Sequence, residues 1–215
     1  MSHAAKPRVL LADDHRIVAE GLKSILAAEF ELAGIVEDGV ALVKAARELR
    51  PDVIVADISM PLLNGIDALV QLKEHDPDVR VVFLTMHRNA AYARRALDAG
   101  AAGFVLKHSA SAELVLAVRA ALQGRTYITP DLARELMLTP KQGRDLPLDP
   151  VAALTQRQRE ILQLIAEGKS AKEIAAVLGL SARTVEDHKY RLMESLGIEN
   201  SAELIHFAFK HGLVP

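Results

Sequence analysis

Five chemically useful side chains in the first half of the chain each follow directly on a short apolar run. Asp13 and Asp14 follow residues 9–12, Asp57 follows 53–56, Thr85 follows 81–84 and Lys107 follows 104–106. Brought together, three carboxylates repel one another, so the set must retain a proton or hold a cation. An all-oxygen site of this kind suits Mg2+, which keeps several waters and is completed by phosphate oxygens. With that charge offset, Asp57 can stay ionised and act as a nucleophile, forming an aspartyl-phosphate. Lys107 would neutralise phosphoryl oxygens, and the Thr85 hydroxyl could donate to one of them. Taken alone, Asp57 is explained equally well as a strand-end turn residue or helix cap. What decides is whether other strands deliver complementary groups to the same edge.

The runs themselves supply that test. Residues 53–56 read Val-Ile-Val-Ala, apolar at every position and not alternating, as in a strand covered on both faces of a parallel sheet. Similar runs occur at 9–12, 32–36, 81–84 and 104–106. Between them, helical spacing predicts helices over about 17–26 (Ile17, Val18, Leu22, Ile25, Leu26), 39–49, 66–73, 90–99 and 112–122, with Gly100 stopping the fourth. Five strands alternating with five helices imply a doubly wound α/β domain with a five-stranded parallel sheet. In the order 2-1-3-4-5, strands one and three adjoin where the order reverses, which is where such sheets bind ligands. Asp13, Asp14 and Asp57 then meet at one edge, with Thr85 and Lys107 arriving from the neighbouring strands. Four strand ends that all deliver polar groups are hard to attribute to turn preference. His15, beside the acidic pair, reads as a solvated start to the first helix rather than a ligand.

Composition bounds the rest. The chain has 215 residues, half of them apolar and a quarter charged, with a net charge of −2 and no cysteine. No strong overall field draws it to nucleic acid or membrane, and disulfides, thiolate metal sites and cysteine nucleophiles are excluded. Lys6 and Arg8 precede an apolar run that stops at Asp13, too short for a signal peptide, and no other stretch could span a bilayer. A cytoplasmic protein is expected. After Gly124 the periodicity weakens, and a further short helix is expected within 126–138, starting near Pro130. Residues 139–150 contain three prolines and a glycine, which marks a moderately stiff linker. The expected organisation is a first domain over 1–124, a joint over 125–150 and a second domain over 151–215.

The second half is all helical. Thr155 with Gln158 and Ser170 with Glu173 have capping-box spacing, Asn200 with Glu203 resembles a third, and Gly168 and Gly179 sit at helix stops. The apolar positions Leu154, Ile161, Leu162, Leu164, Ile165, Ile174, Ala175, Leu178, Val185, Leu192, Leu196, Ile198, Leu204 and Ile205 predict four short helices around one core. The tight connection at Gly179, Leu180 and Ser181 is that of a helix-turn-helix, with Ser181 capping a helix over 182–196 that could enter a major groove. Within 151–215, eight basic residues are balanced by eight acidic ones, so the usual basic footprint of a DNA binder is missing. On charge alone, a helical protein-docking module is a serious rival.

These residues also carry a resemblance. Asp13-Asp14, Asp57 with Met60-Pro61 and Gly65, Thr85 and Lys107 resemble the receiver domain of two-component response regulators over roughly the first 124 residues. The resemblance implies that Asp57 is the phosphoacceptor. It also implies that Asp14, Asp57 and the Ser59 carbonyl ligate Mg2+, with Asp13 acting mainly through water, and that Thr85 and Phe104 form a switch pair. In that pair the hydroxyl moves toward the phosphate and the ring turns inward. His108 stands where relatives have proline after the lysine. Leu154-Thr155, Arg157, Glu160-Ile161-Leu162, Ala166-Glu167-Gly168, Lys172-Glu173-Ile174-Ala175, Leu178, Ser181, Thr184-Val185, His188 and Leu196-Gly197 resemble a LuxR-type output domain. The whole chain is thus similar to regulators of the NarL/FixJ class, with Gln158 in place of the family's usual glutamate.

The resemblance implies a transcription regulator without independent enzymatic activity. A cognate sensor histidine kinase would phosphorylate it, and as a homodimer it would bind double-stranded DNA at paired half-sites. Arg183, Lys189 and Arg191 are the expected phosphate contacts, with Thr184 and Tyr190 secondary, and His188 is expected in helix packing. Glu186 and Asp187 stand where relatives often carry lysine or asparagine. They could accept from cytosine N4, or only balance charge on an exposed face. Two rivals stay open: a constitutive DNA binder whose receiver only dimerises, and a non-DNA adaptor.

Overall fold

The computed structural model describes residues 5–86, 90–138, 150–151, 153–211 and 213–214. In it the fully apolar runs become strands. These are β1 (Arg8–Ala12), β2 (Glu31–Val36), β3 (Val53–Asp57), β4 (Val81–Thr85) and β5 (Gly103–Leu106). Every residue of β3, β4 and β5 is buried, as expected of strands covered on both faces. β2 lies at one edge and is mostly half-buried. The helices between them are α1 (Arg16–Ala27), α2 (Gly39–Leu49), α3 (Gly65–His75), α4 (Ala90–Asp98) and α5 (Ala110–Leu122).

All pairings are parallel, and the order begins β2-β1-β3-β4-β5 as expected. The expectation of five strands needs one correction. Tyr127–Ile128 forms a sixth, β6, beside β5, and α6 (Pro130–Leu138) follows it. Two residues give no hydrophobic run for a sequence pattern to register. What holds β6 is its neighbours. Thr129 Oγ1 accepts from the Leu106 amide at 3.2 Å and donates to Glu113 Oε2 at 2.7 Å.

Alternate strand residues Val9, Leu11, Val53, Val55, Val82, Leu84 and Val105 pack with Ala19, Leu22 and Leu26 of α1 and Leu114, Ala117, Val118 and Ala121 of α5. The intervening residues, among them Leu10, Ile54, Phe83 and Phe104, are buried on the opposite face. One residue expected in this core lies outside it: Ile17 is 91% exposed. At 100° per residue it sits well off the stripe set by Ala19, Leu22 and Leu26.

The described residues divide into two compact units. The second is built from α7 (Gln156–Ala166), α8 (Ala171–Leu178), α9 (Ala182–Leu196) and α10 (Ser201–Lys210). Its starts are fixed by side chains. Thr155 and Gln158 form a reciprocal capping box, as do Ser170 and Glu173. The third expected box forms only by half. Asn200 Oδ1 accepts from the Glu203 amide at 3.0 Å, but the Glu203 carboxylate accepts from the Asn200 side-chain amide at 2.7 Å and from the Glu199 amide, not from the Asn200 backbone. Gly179 adopts φ +66° in the tight turn between α8 and α9, a conformation that favours glycine.

All the expected core residues of this unit pack in its cluster, with Leu178, Leu196, Ile198 and Ile205 at its margin. Val151, Ala208, Leu213 and Val214 join them. Three of these four lie outside the helices, where periodicity gives no signal. Residues 139–149 of the expected linker lie outside the described residues. Among those described, no helix is long and apolar enough to cross a membrane.

Candidate functional site

Strand register builds the first site. Ala12, Ala56, Phe83 and Phe104 form one row across β1, β3, β4 and β5. The next row holds Asp57 and Leu84, with Asp13 just past the end of β1. Thr85 pairs with Leu106 one step further on, and Lys107 follows. The five groups thus reach the carboxyl edge of the sheet from four neighbouring strands, at the reversal of strand order.

The side chains converge as the sequence suggested. Lys107 Nζ lies 2.6 Å from Asp57 Oδ2 and 2.8 Å from Asp13 Oδ2, and both acids are buried. The Asp57 Oδ1 atom accepts from the amides of Ile58 at 2.6 Å and Ser59 at 3.3 Å. Asp13 Oδ1 accepts from the amide of His15 at 3.0 Å, and the Asp13 amide donates to Val36. Gly65 makes the close approach possible. A Cβ there would collide with the Asp57 carbonyl oxygen and lie 2.9 Å from the Phe83 ring.

Burial raises the pKa of Asp57 above the ordinary carboxylate value, and the Asp13 charge adds to it. The charge and hydrogen bond of Lys107, with the Ser59 amide, pull the other way without cancelling the rise. For Lys107, burial lowers the pKa, but Asp57 and Asp13 outweigh it and leave the ammonium above its ordinary value.

One lysine does not neutralise three acids, and the donor set shows where a cation fits. One ligand atom from each of Asp13, Asp14, His15 and Asp57 lies within 4.8 Å of the others. Three buried oxygens here, Asp13 Oδ2, Asp14 Oδ1 and Ser59 Oγ, make no hydrogen bond. The 2.8 Å contact of Asp13 Oδ2 with Lys107 is an ion pair. Buried acceptors without donors and carboxylates in excess of amines are what a hard divalent cation would satisfy. Thr85 and Phe104 are fully buried, the ring in the row of Phe83. His15 does cap the start of α1 and is exposed, but its ring lies toward the acids, which residue type alone did not reveal.

The second site is the surface of α9. Val185 and Leu192 anchor its inner face. Ser181 Oγ accepts from the Thr184 amide at 3.0 Å and lies 2.8 Å from the Thr184 hydroxyl. Arg183, Asp187, Tyr190 and Arg191 are exposed at helical spacing on the outward face, Tyr190 at 69%. Thr184, Glu186 and Lys189 are half-buried on its flanks. Glu186 and Lys189 line a groove that Lys169, Ser170 and Ser201 also line. None of those three was expected at this surface from sequence. They come from the turn before α8 and the start of α10, which only the fold brings beside α9.

Comparison with known proteins gives each unit a family. The family described as response regulator receiver domain matches residues 9–119, and that described as bacterial regulatory proteins, luxR family, matches 152–208. The transcriptional regulatory protein MctR of Rhizobium johnstonii is 38% identical, covering 100% of this chain and 98% of its own. The response regulator UvrY of Escherichia coli K12 is 34% identical over 95% of this chain and 94% of its own. A structure of RcsB from Salmonella enterica serovar Typhimurium, bound to promoter DNA in the presence of phosphomimetic BeF3-, has a TM-score of 0.63 at 31% identity. It covers 94% of this chain and 98% of that one.

Proposed function

Because this chain belongs to the response regulators that join a receiver to a LuxR-type DNA-binding domain, the NarL/FixJ class, we propose that phosphorylation of Asp57 by a cognate sensor histidine kinase controls its binding to promoter DNA. The observation that carries this reading is the convergence of Asp13, Asp57 and Lys107 within 2.8 Å contacts at the sheet's carboxyl edge, beside acceptors that lack donors.

In the transfer, Asp57 Oδ attacks the phosphorus of a phosphohistidine. The new O–P bond forms as the P–N bond breaks, and the imidazole leaves with its electron pair and takes up a proton. Lys107 holds a positive charge against the phosphoryl oxygens, and the amides of Ile58 and Ser59 orient the attacking carboxylate. Mg2+, held by Asp14, Asp57 and the Ser59 carbonyl with Asp13 acting through water, would supply neutralisation of the carboxylates and phosphate. Thr85 would then donate to the phosphoryl group while Phe104 stays inward. The added charge biases the receiver between two conformations, which favours a homodimer able to occupy paired half-sites. The cytoplasm is where such a protein meets both kinase and DNA.

On the DNA side, Arg183 and Arg191 of the outward face, with Lys189 at its flank, would contact phosphates, with Thr184 and Tyr190 beside them. The surface separates the two acids. Asp187 faces outward and suits a base contact, whereas Glu186 shares a groove with Lys169 and Lys189 and suits charge balance.

Acetyl phosphate with Mg2+ should label the native protein and not Asp57→Asn, and labelling should strengthen the footprint on genomic promoter DNA. Labelling that persists in Asp57→Asn would refute the site. A footprint indifferent to acetyl phosphate would favour a constitutive binder, and no footprint at all would favour the adaptor.

A further inference from the structure

The start of α1 is unusual for what it does not do. His15 occupies its N-cap, with φ −95° and ψ 95°, yet makes no side-chain hydrogen bond to the helix, and the first turn holds no acid. The ring is directed elsewhere. Its Nδ1 lies 2.7 Å from Asp14 Oδ1 and 3.6 Å from Asp13 Oδ1. The backbone at this point is held to the pocket, because the His15 amide donates to the buried Asp13 carboxylate.

Although Nδ1 is close to Asp14 Oδ1, that oxygen makes no hydrogen bond. Two donor atoms side by side without a hydrogen bond are arranged like neighbouring ligands of one ion. Neighbouring ligands at about 2.1 Å from an octahedral cation lie roughly 3 Å apart. One nitrogen and three carboxylates each place a ligand atom within 4.8 Å of the rest, near enough to surround one ion directly or through water.

Resting on the metal-dependent reading of Asp57, we infer that His15 is a nitrogen ligand in this pocket and shifts its preference from Mg2+ toward divalent transition ions such as Mn2+. Imidazole binds these ions better than it binds Mg2+, whose preferred ligands are oxygens alone. The exposure of His15, 60% for its side chain, leaves the ring free to swing onto an arriving ion. Its Nδ1 then offers a lone pair while Nε2 carries the proton.

The test uses the full chain with Mn2+ as the probe. Pulsed electron paramagnetic resonance should show 14N modulation from a bound imidazole in the native protein and none in His15→Gln. Titration calorimetry should show the ratio of Mn2+ to Mg2+ affinity falling about tenfold in His15→Gln, within the range that the loss of a group supporting a metal typically costs. Asp14→Asn should weaken both ions and so locate them in this pocket. Bound Mn2+ without nitrogen modulation, or an unchanged affinity ratio, would overturn the inference while leaving the Mg2+ site intact. Failure of the native protein to bind either ion would overturn the underlying reading as well.

Discussion

At Asp57, burial makes ionisation costlier in the native state than in the unfolded chain, even with Lys107 alongside. The native protein therefore holds this proton to a higher pH than the unfolded chain does. The stability linked to it is fully present below the ordinary value of 3.8 and is lost as pH rises through the raised native value. Asp57→Asn removes that penalty. Without divalent ions, the variant should unfold at a higher temperature than the native protein at neutral pH, and the gap should narrow as the pH is lowered into the carboxylate range. Excess Mg2+ should close the gap from the other side, by about 2.7 kcal/mol at a concentration one hundred times its dissociation constant. Calorimetric scans against pH check both, and a variant less stable at neutral pH would contradict the sign. Residue type made Asp13, Asp57, Thr85 and Lys107 legible, because each closes an apolar run. The direction of the His15 ring was not legible, because a histidine at a helix start reads first as solvated, and only the fold sets its ring beside the Asp14 carboxylate.

The helices were legible where their ends are chemically marked. The boxes at Thr155 and Ser170 and the glycine turn before α9 formed as their spacing indicated. Where a segment is held only by what it packs on, as β6 is by Thr129, the sequence carried no sign of it. The same limit applies to α9. Composition names its charged residues, but only the fold separates the outward Arg183, Asp187 and Arg191 from the flanking Glu186 and Lys189. That division can be measured. Arg191→Ala should weaken promoter binding about equally across sequences and lower the slope of log affinity against log salt by about one. Asp187→Ala should leave the slope nearly unchanged and alter base preference at one position in each half-site. Fluorescence anisotropy over a salt series, on a small set of operator variants, reads both effects. If Glu186→Ala rather than Asp187→Ala changes base preference, the assignment of roles is reversed.

Across the whole chain, a balanced charge in the C-terminal unit leaves little long-range attraction to DNA, so the proposed regulator would draw its affinity from local geometry and from pairing two copies. Two helix-turn-helix units joined in a dimer read half-sites about one helical turn, roughly 34 Å, apart. An operator with five base pairs inserted between its half-sites turns one to the opposite side of the duplex, and should lose most of the gain that phosphorylation brings, as gel shifts with and without acetyl phosphate would show. The alternation of apolar runs and helical stripes disclosed both units. The joint was less legible, for its prolines mark a boundary without saying what lies on either side; the short helix expected near Pro130 is α6, but β6 lies in a stretch read as linker. The sheet that results ends unequally. Beyond β5 stands a strand of two residues, with Pro130 soon after it, too short a row of free amides and carbonyls for a foreign strand to add to. The opposite margin, β2, is six residues long and carries the partly exposed Ile35. Protein stressed by heat or mutation should therefore begin to aggregate along β2, and a lysine at Ile35 should delay fibre formation more than any change at β6.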